Sequence, residues 1–205
     1  MNTSRRTYLA TVAASGTLLA GCIGGDEPES DREQVQSLPR PVAGDPDADV
    51  VVSSYEDFSC PHCKTYALEV YPEIREQYVE PGDIRYEHHD FPIPVNQRWS
   101  WDAAEAARAV QDRADNAAFF EFSADLYRNQ GDYSLDLIRD LAADHADGDE
   151  VVEDVQANVY RPVVEADRQA GANRGVQGTP TIVVGNQAVN PTVEAISAAI
   201  DFAQD

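Results

Sequence analysis

Val50-Val51-Val52-Ser53-Ser54-Tyr55-Glu56-Asp57-Phe58-Ser59-Cys60-Pro61-His62-Cys63-Lys64 is the stretch that decides how this chain is read. A β-branched apolar run leads into Cys-x-x-Cys, and a helix-compatible segment follows over residues 64–78. Strand, Cys-x-x-Cys, helix is the order in which two cysteines form a dithiol/disulfide redox pair. A cysteine at a helix N-terminus sits among unpaired N–H groups at the positive end of the dipole, which favours thiolate over thiol. Cys60 and Cys63 lie within bridging distance in a first turn. Pro61 suits that turn, having no N–H to leave unsatisfied, and His62 adds a nearby positive charge. Two other readings stand beside this one. Half of a zinc site needs further ligands, yet the other histidines are His88, His89 and His145 and no second cysteine pair exists. A purely structural disulfide over so short a loop would constrain the unfolded chain little.

The 205 residues fit one domain with accessories and suffice for a sizeable core. With 37 acidic and 15 basic residues the formal charge is −22, and Lys64 is the sole lysine. The acids are scattered along helical segments rather than gathered in one tail. An acidic binding face would look like this, but a solvated surface suited to high salt is the simpler reading. Lysine-poor, acidic composition resembles that of proteins from extreme halophiles. Nucleic acid is excluded as a partner, since no basic patch is present to neutralise phosphates.

Toward the N-terminus, residues 1–22 read as an export signal. Ser4-Arg5-Arg6-Thr7-Tyr8-Leu9 resembles the twin-arginine motif, and the apolar stretch from Leu9 to Ala20 is too short for a stable membrane span. Leu19-Ala20-Gly21-Cys22 resembles a lipobox, which implies lipid on Cys22 as the new N-terminus. An ordinary signal peptide with an incidental cysteine is the alternative. With Cys22 lipidated, the exported domain retains Cys60 and Cys63 alone, the pair suited to thiol exchange. Residues 23–47, rich in glycine, proline and acids, read as a flexible tether that stands the domain off the membrane, with an edge strand at Val35 to Leu38.

Toward the C-terminus, the valines of Asp49 to Tyr55 imply a strand buried on both faces, with the cysteine motif at its carboxyl end, where sites collect in open α/β sheets. The helix carrying Tyr66, Val70 and Ile74 has a kink expected at Pro72. Pro81-Gly82 turns the chain into a second strand, Asp83 to Phe91, closed by Phe91-Pro92-Ile93-Pro94. Residues 97–172 are almost wholly helical: Trp101 to Ala114, a segment holding Phe119 to Tyr127, a stripe from Leu135 to Leu141, and one helix from Asp149 to Ala170 interrupted at Pro162. The aromatics read as core. After Gly178-Thr179-Pro180, Thr181 to Val184 and Gln187 to Val189 pair across Gly185-Asn186 as a hairpin. A last helix begins at an Asn190 cap with Pro191 in its first turn and buries Val193, Ile196 and Ile200.

Cys-Pro-His-Cys after a strand, a helical block, then Gly-Thr-Pro-Thr before a hairpin and helix: this order resembles the DsbA-like disulfide oxidoreductases of the thioredoxin superfamily, over about residues 48–203. Asp57-Phe58-Ser59 and Phe91-Pro92-Ile93 fit the same branch. The resemblance implies an α/β thioredoxin-like fold, with a central mixed sheet and a helical subdomain inserted at about 97–172. It implies Cys60 as the exposed nucleophile, Cys63 as its buried partner, and a cis Thr179–Pro180 bond beside them that presents the Thr179 backbone to a bound peptide. Pro61 and His62 complete the active-site turn. Many relatives carry an acid where this chain has Ser54, so the acceptor of the Cys63 proton is open, with Glu56 or water as substitutes.

The function expected is thiol–disulfide exchange outside the cytoplasm, on the outer face of the cell membrane. A disulfide would be donated to exported proteins and the pair recharged by a membrane redox partner. Neither metal nor cofactor is required beyond the redox-active Cys60–Cys63 disulfide. A reductase serving exported thiols or cytochrome maturation uses the same residues in reverse. A copper-binding chaperone using the cysteines and a histidine, and a non-catalytic peptide-binding module, are readings of other classes.

Overall fold

The computed structural model describes residues 32–204 apart from residue 94. The export signal, Cys22 and the start of the tether lie outside the described residues. Five strands form one mixed sheet in the order β1-β3-β2-β4-β5. They are β1 (Val42–Gly44), β2 (Val51–Glu56), β3 (Arg85–Asp90), β4 (Thr181–Val184) and β5 (Gln187–Val189). The valine-led β2 takes the centre, parallel to β3 and antiparallel to β4. The Gly185-Asn186 hairpin joins β4 to β5, with Gly185 at φ 59°, where a side chain would be strained.

Helix α1 occupies residues 61–79 and begins at the cysteine motif. The kink expected at Pro72 takes the form of a wide π turn just before it. Tyr71 donates its N–H to the Tyr66 carbonyl, and a second such turn closes at Glu80. A π turn absorbs the backbone that proline cannot pair. Between β3 and β4 run α2 (Trp99–Arg113), α3 (Asn116–Arg128), α4 (Leu135–Ala142), α5 (Gly148–Gln156) and α6 (Arg161–Asn173). Three of these start where a short polar side chain accepts a free N–H: Asp115 from Ala118, Ser134 from Leu137, and Asp147 from Asp149 and Glu150. The single helix expected over 149–170 is two. The chain turns at Asn158, in the left-handed region at φ 53°, and Pro162 sits in the first turn of α6, where its missing N–H costs nothing.

The last helix, α7 (Val193–Gln204), is capped by Thr192 rather than Asn190. The Thr192 hydroxyl accepts from Ala195 N–H at 3.3 Å.

The chain is packed from residue 32 on, so the tether expected over 23–47 is shorter at its carboxyl end. Arg32 pairs with Glu153 and Asp154, Val35 N–H donates to the Val159 carbonyl, and Val35 and Leu38 pack on the helical core. Val35 to Leu38 lies against helices and forms no strand. The edge strand is Val42–Gly44, paired to β3.

Two apolar cores result. One joins the sheet to α1 and α7 through Val52, Tyr66, Ile74, Tyr86, Ile182, Ile196 and Ile200. The other fills the helical block, and it includes Phe58, Cys60 and Cys63. The cysteine motif therefore sits at the seam between them. This is the thioredoxin-like fold with a helical insertion.

Candidate active site

β2 ends at Glu56, and Asp57 organises the turn that follows. Its carboxylate accepts the N–H of Ser59 at 2.7 Å and of Ile93 at 2.8 Å, and its carbonyl accepts the N–H of Cys60 at 2.9 Å. The loop after β3 is thereby tied to the turn before α1. Cys60 then stands as the N-cap of α1, at φ −83°, with Pro61 the first helical residue. Among residues missed in the sequence, Gln130 and Tyr133 close this turn from the far side. The Gln130 amide donates to the carbonyls of Phe58 (2.8 Å) and Cys60 (3.0 Å), and the Tyr133 hydroxyl donates to Phe58 (2.9 Å). Both lie on the link between α3 and α4, so only the tertiary fold brings them here.

Cys60 and Cys63 are free thiols in this structure and both are buried, Cys60 at 4 % exposure and Cys63 at 0 %. Their environments pull them apart. The Cys63 thiol, hydrogen-bonded to the Cys60 sulfur, brings Cys60 down to a pKa of about 5 against the opposition of burial. Thr179 and the N–H groups of Cys63 and His62 add to the effect. Cys63 is pushed up by burial, by its bond to Cys60 and by the charge of Glu56, with Asp57 N–H at 3.5 Å opposing. His62 acts on Cys60 through its backbone; its ring is exposed. The Thr179–Pro180 bond is cis, and the Thr179 carbonyl is 3.4 Å from the Cys60 sulfur.

Glu56, next to the buried Asp57, is a second buried acid close in chain order to this pair. It stands two residues beyond Ser54, on the same face of β2, and is 4 % exposed. Tyr127 donates to it at 2.9 Å and Tyr86 at 3.4 Å, while His88 Nδ1 lies 3.6 Å away. Among the described residues, no group of three or more histidines, cysteines and carboxylates is arranged to hold a metal.

A cysteine pair opening a helix at the end of a central strand, facing a cis-proline peptide, defines the class of thiol-active thioredoxin folds. The chain belongs to the thioredoxin family, whose model matches residues 36–202. It is similar to the probable disulfide bond formation protein D of Bacillus cereus, at 24 % identity over 94 % of this chain and 91 % of that one. Among solved structures it is similar to oxidised BdbD from Bacillus subtilis, with a TM-score of 0.75, 25 % identity, and coverage of 84 % of this chain and 98 % of that one. DsbA from Chlamydia trachomatis shares the fold at a TM-score of 0.73 and 20 % identity, over 85 % and 97 % of the two chains. The chain is a thiol–disulfide oxidoreductase.

Proposed function

We propose that this protein is an extracytoplasmic disulfide donor that works through Cys60 and Cys63. The observation that carries the reading is the opposed titration of the two sulfurs, Cys60 down to about 5 and Cys63 up. In a disulfide, the sulfur whose thiolate is better stabilised is the better leaving group. A thiolate of the exported substrate attacks Cys60 of the Cys60–Cys63 disulfide. A mixed disulfide forms, and Cys63 departs with the electron pair of the broken S–S bond and takes up a proton. The substrate's second thiolate then attacks the sulfur of its own mixed disulfide. The substrate leaves oxidised, and Cys60 leaves as a thiolate that helix α1 stabilises.

Glu56 is the acceptor and donor of the Cys63 proton. It takes over the role left vacant at Ser54 because the strand period of two keeps it on the same face. Thr179 lies beside Cys60 with its carbonyl directed at the sulfur, which suits strand-like pairing with a substrate backbone. The twin-arginine-like signal and the lipobox at Cys22 support a position on the outer face of the cell membrane, where a membrane redox partner would restore the disulfide.

The test is oxidation of a reduced, unfolded ribonuclease by the oxidised protein. Transfer of one disulfide per molecule, abolished by Cys60→Ser, is the expected result. A Cys60→Ser variant that oxidises the substrate as wild type does would refute the assignment.

A further inference from the structure

Resting on the reading that Cys60 and Cys63 exchange disulfides, the structure points to a residue that no comparison assigns. We propose that His88 is a positioning residue for the exchange reaction. As an imidazolium clamped between Glu56 and Asp90, it holds the Glu56 carboxylate in place to receive the Cys63 proton.

The geometry carries this. β2 and β3 are parallel with Ser54 opposite His88 and Glu56 opposite Asp90, so all four side chains share one face. His88 is 3 % exposed, and both ring nitrogens meet carboxylates: Nδ1 lies 3.6 Å from Glu56 and Nε2 lies 3.3 Å from Asp90. Nε2 is within hydrogen-bond reach of Asp90 and Nδ1 within ion-pair distance of Glu56, so a doubly protonated ring presents an N–H to each carboxylate. Phe119 and Phe58 pack against the ring, with centroids 5.0 and 5.8 Å away, and fix its plane. Asp90 is itself anchored by Arg108 at 2.5 Å, and Arg108 also pairs with Asp167 from α6. Asp90 is thereby committed to Arg108, whereas Glu56 is held by Tyr86, Tyr127 and His88.

The other groups facing the pair do not compete for the Cys63 proton. Tyr86 and Tyr127 donate to Glu56, and Tyr66 meets Tyr86 at 3.1 Å. All three phenols are held well above their ordinary range, chiefly by burial. Tyr71 is likewise raised by burial. Burial opposes a charge on His88, but the bonds and charges of Asp90 and Glu56 outweigh it and raise the ring to about 9.

Glu56 and His88 also line a cavity of about 400 Å³ between α1 and α3. Its lining includes Ala67 and Leu68 but neither cysteine, nor Thr179 or Pro180. The cavity is also bordered by Arg75, Glu121, Asp125, Arg128 and His145. Solvent therefore has a way to the pair other than the face where a substrate would lie over Cys60.

In the step at issue, Cys63 attacks a mixed disulfide on Cys60. The Cys63 S–H proton passes to Glu56, the Cys60–Cys63 bond forms, and the departing thiolate keeps the electron pair of the bond that breaks. In the opposite direction Cys63 leaves as a thiolate and recovers its proton from Glu56.

The experiment uses the full chain with Cys60 carrying thionitrobenzoate, whose release by Cys63 is followed by its colour across the range from about pH 5 to pH 9. With a positioned base the wild-type rate depends only weakly on pH. Glu56→Gln is expected to slow release roughly 100-fold at low pH and to make log rate climb with a slope of about one. His88→Gln, with folding checked by circular dichroism, is expected to give the same change of profile at roughly a tenfold loss. A His88→Gln profile that overlays the wild type would overturn the proposal, even with stability reduced. The ¹⁵N shifts of the His88 ring in the wild-type protein give a measurement that needs no variant. A doubly protonated ring whose titration midpoint differs between reduced and oxidised protein is expected; a neutral ring, or one midpoint for both, overturns it. An adduct on Cys60 that wild-type Cys63 never releases would refute the exchange reading itself.

Discussion

At neutral pH the reduced protein carries a thiolate at Cys60 that the disulfide form cannot carry, and the fold stabilises it. The sign follows from the direction of the shift. Cys60 is lowered to about 5 in the folded state, so its contribution is fully present above the unfolded thiol's pKa and is lost as pH falls through about 5. The stability of the reduced protein relative to the oxidised one should therefore fall as pH drops from 7 toward 5. Urea unfolding of both forms at several pH values measures it; a difference in stability that does not change with pH would contradict the account. Much of this site was legible in the chain order alone, because the helix-opening cysteine and Thr179-Pro180 are local signals. Glu56 was half legible: the period of two already puts it on the face of Ser54, but its burial under Tyr127 and His88 comes from pairings across the fold. His88 read only as a strand residue, since nothing in its neighbourhood along the chain names Asp90's partner, Arg108.

Among the elements, α6 packs closely on Phe91 and Tyr55 at Gly171. A β-carbon there would lie 2.8 Å from a Phe91 ring atom and 3.0 Å from Tyr55. Gly171→Ala should lower stability by about 1–3 kcal/mol, read as a lower midpoint in thermal unfolding, whereas an unchanged midpoint would mean the helix can shift outward without cost. Strands β2 to β5 and the outlines of α2, α3 and α4 were legible from apolar periodicity, whereas the edge strand was expected at Val35 to Leu38 and lies at Val42–Gly44. The break between α5 and α6 was expected at Pro162, but the turn is made four residues earlier, at Asn158. The ordered strap from residue 32 was hidden by its prolines and acids, which read as a linker until Arg32 and Val35 find partners on α5 and the turn after it.

For the molecule as a whole, one fully buried cation ties the layers together. Arg108 on α2 bonds Asp90 of β3, Asp167 of α6, Gln111 and the carbonyl of Pro39 in the strap. Arg108→Met leaves Asp90 with His88 and Asp167 with Arg40, and should cost up to about 3–5 kcal/mol, measurable by urea denaturation; a loss under 1 kcal/mol would show that these remaining partners or protonation compensate. The formal charge of −22 acts on the same scale. Self-repulsion opposes the compact state, and in about 1 M salt the screening length falls to roughly 3 Å. The thermal midpoint should therefore rise steadily from low to molar potassium chloride, and a flat or falling dependence would argue against a surface suited to high salt.

The central claim is that the cysteine pair donates disulfides, and the reduction potential of Cys60/Cys63 in molar salt tests it most directly. A stabilised Cys60 thiolate predicts an oxidising value, above about −180 mV and toward the −120 mV of strong disulfide donors. A value near about −270 mV, the reducing end of the same scale, would contradict the account and make the protein a reductase.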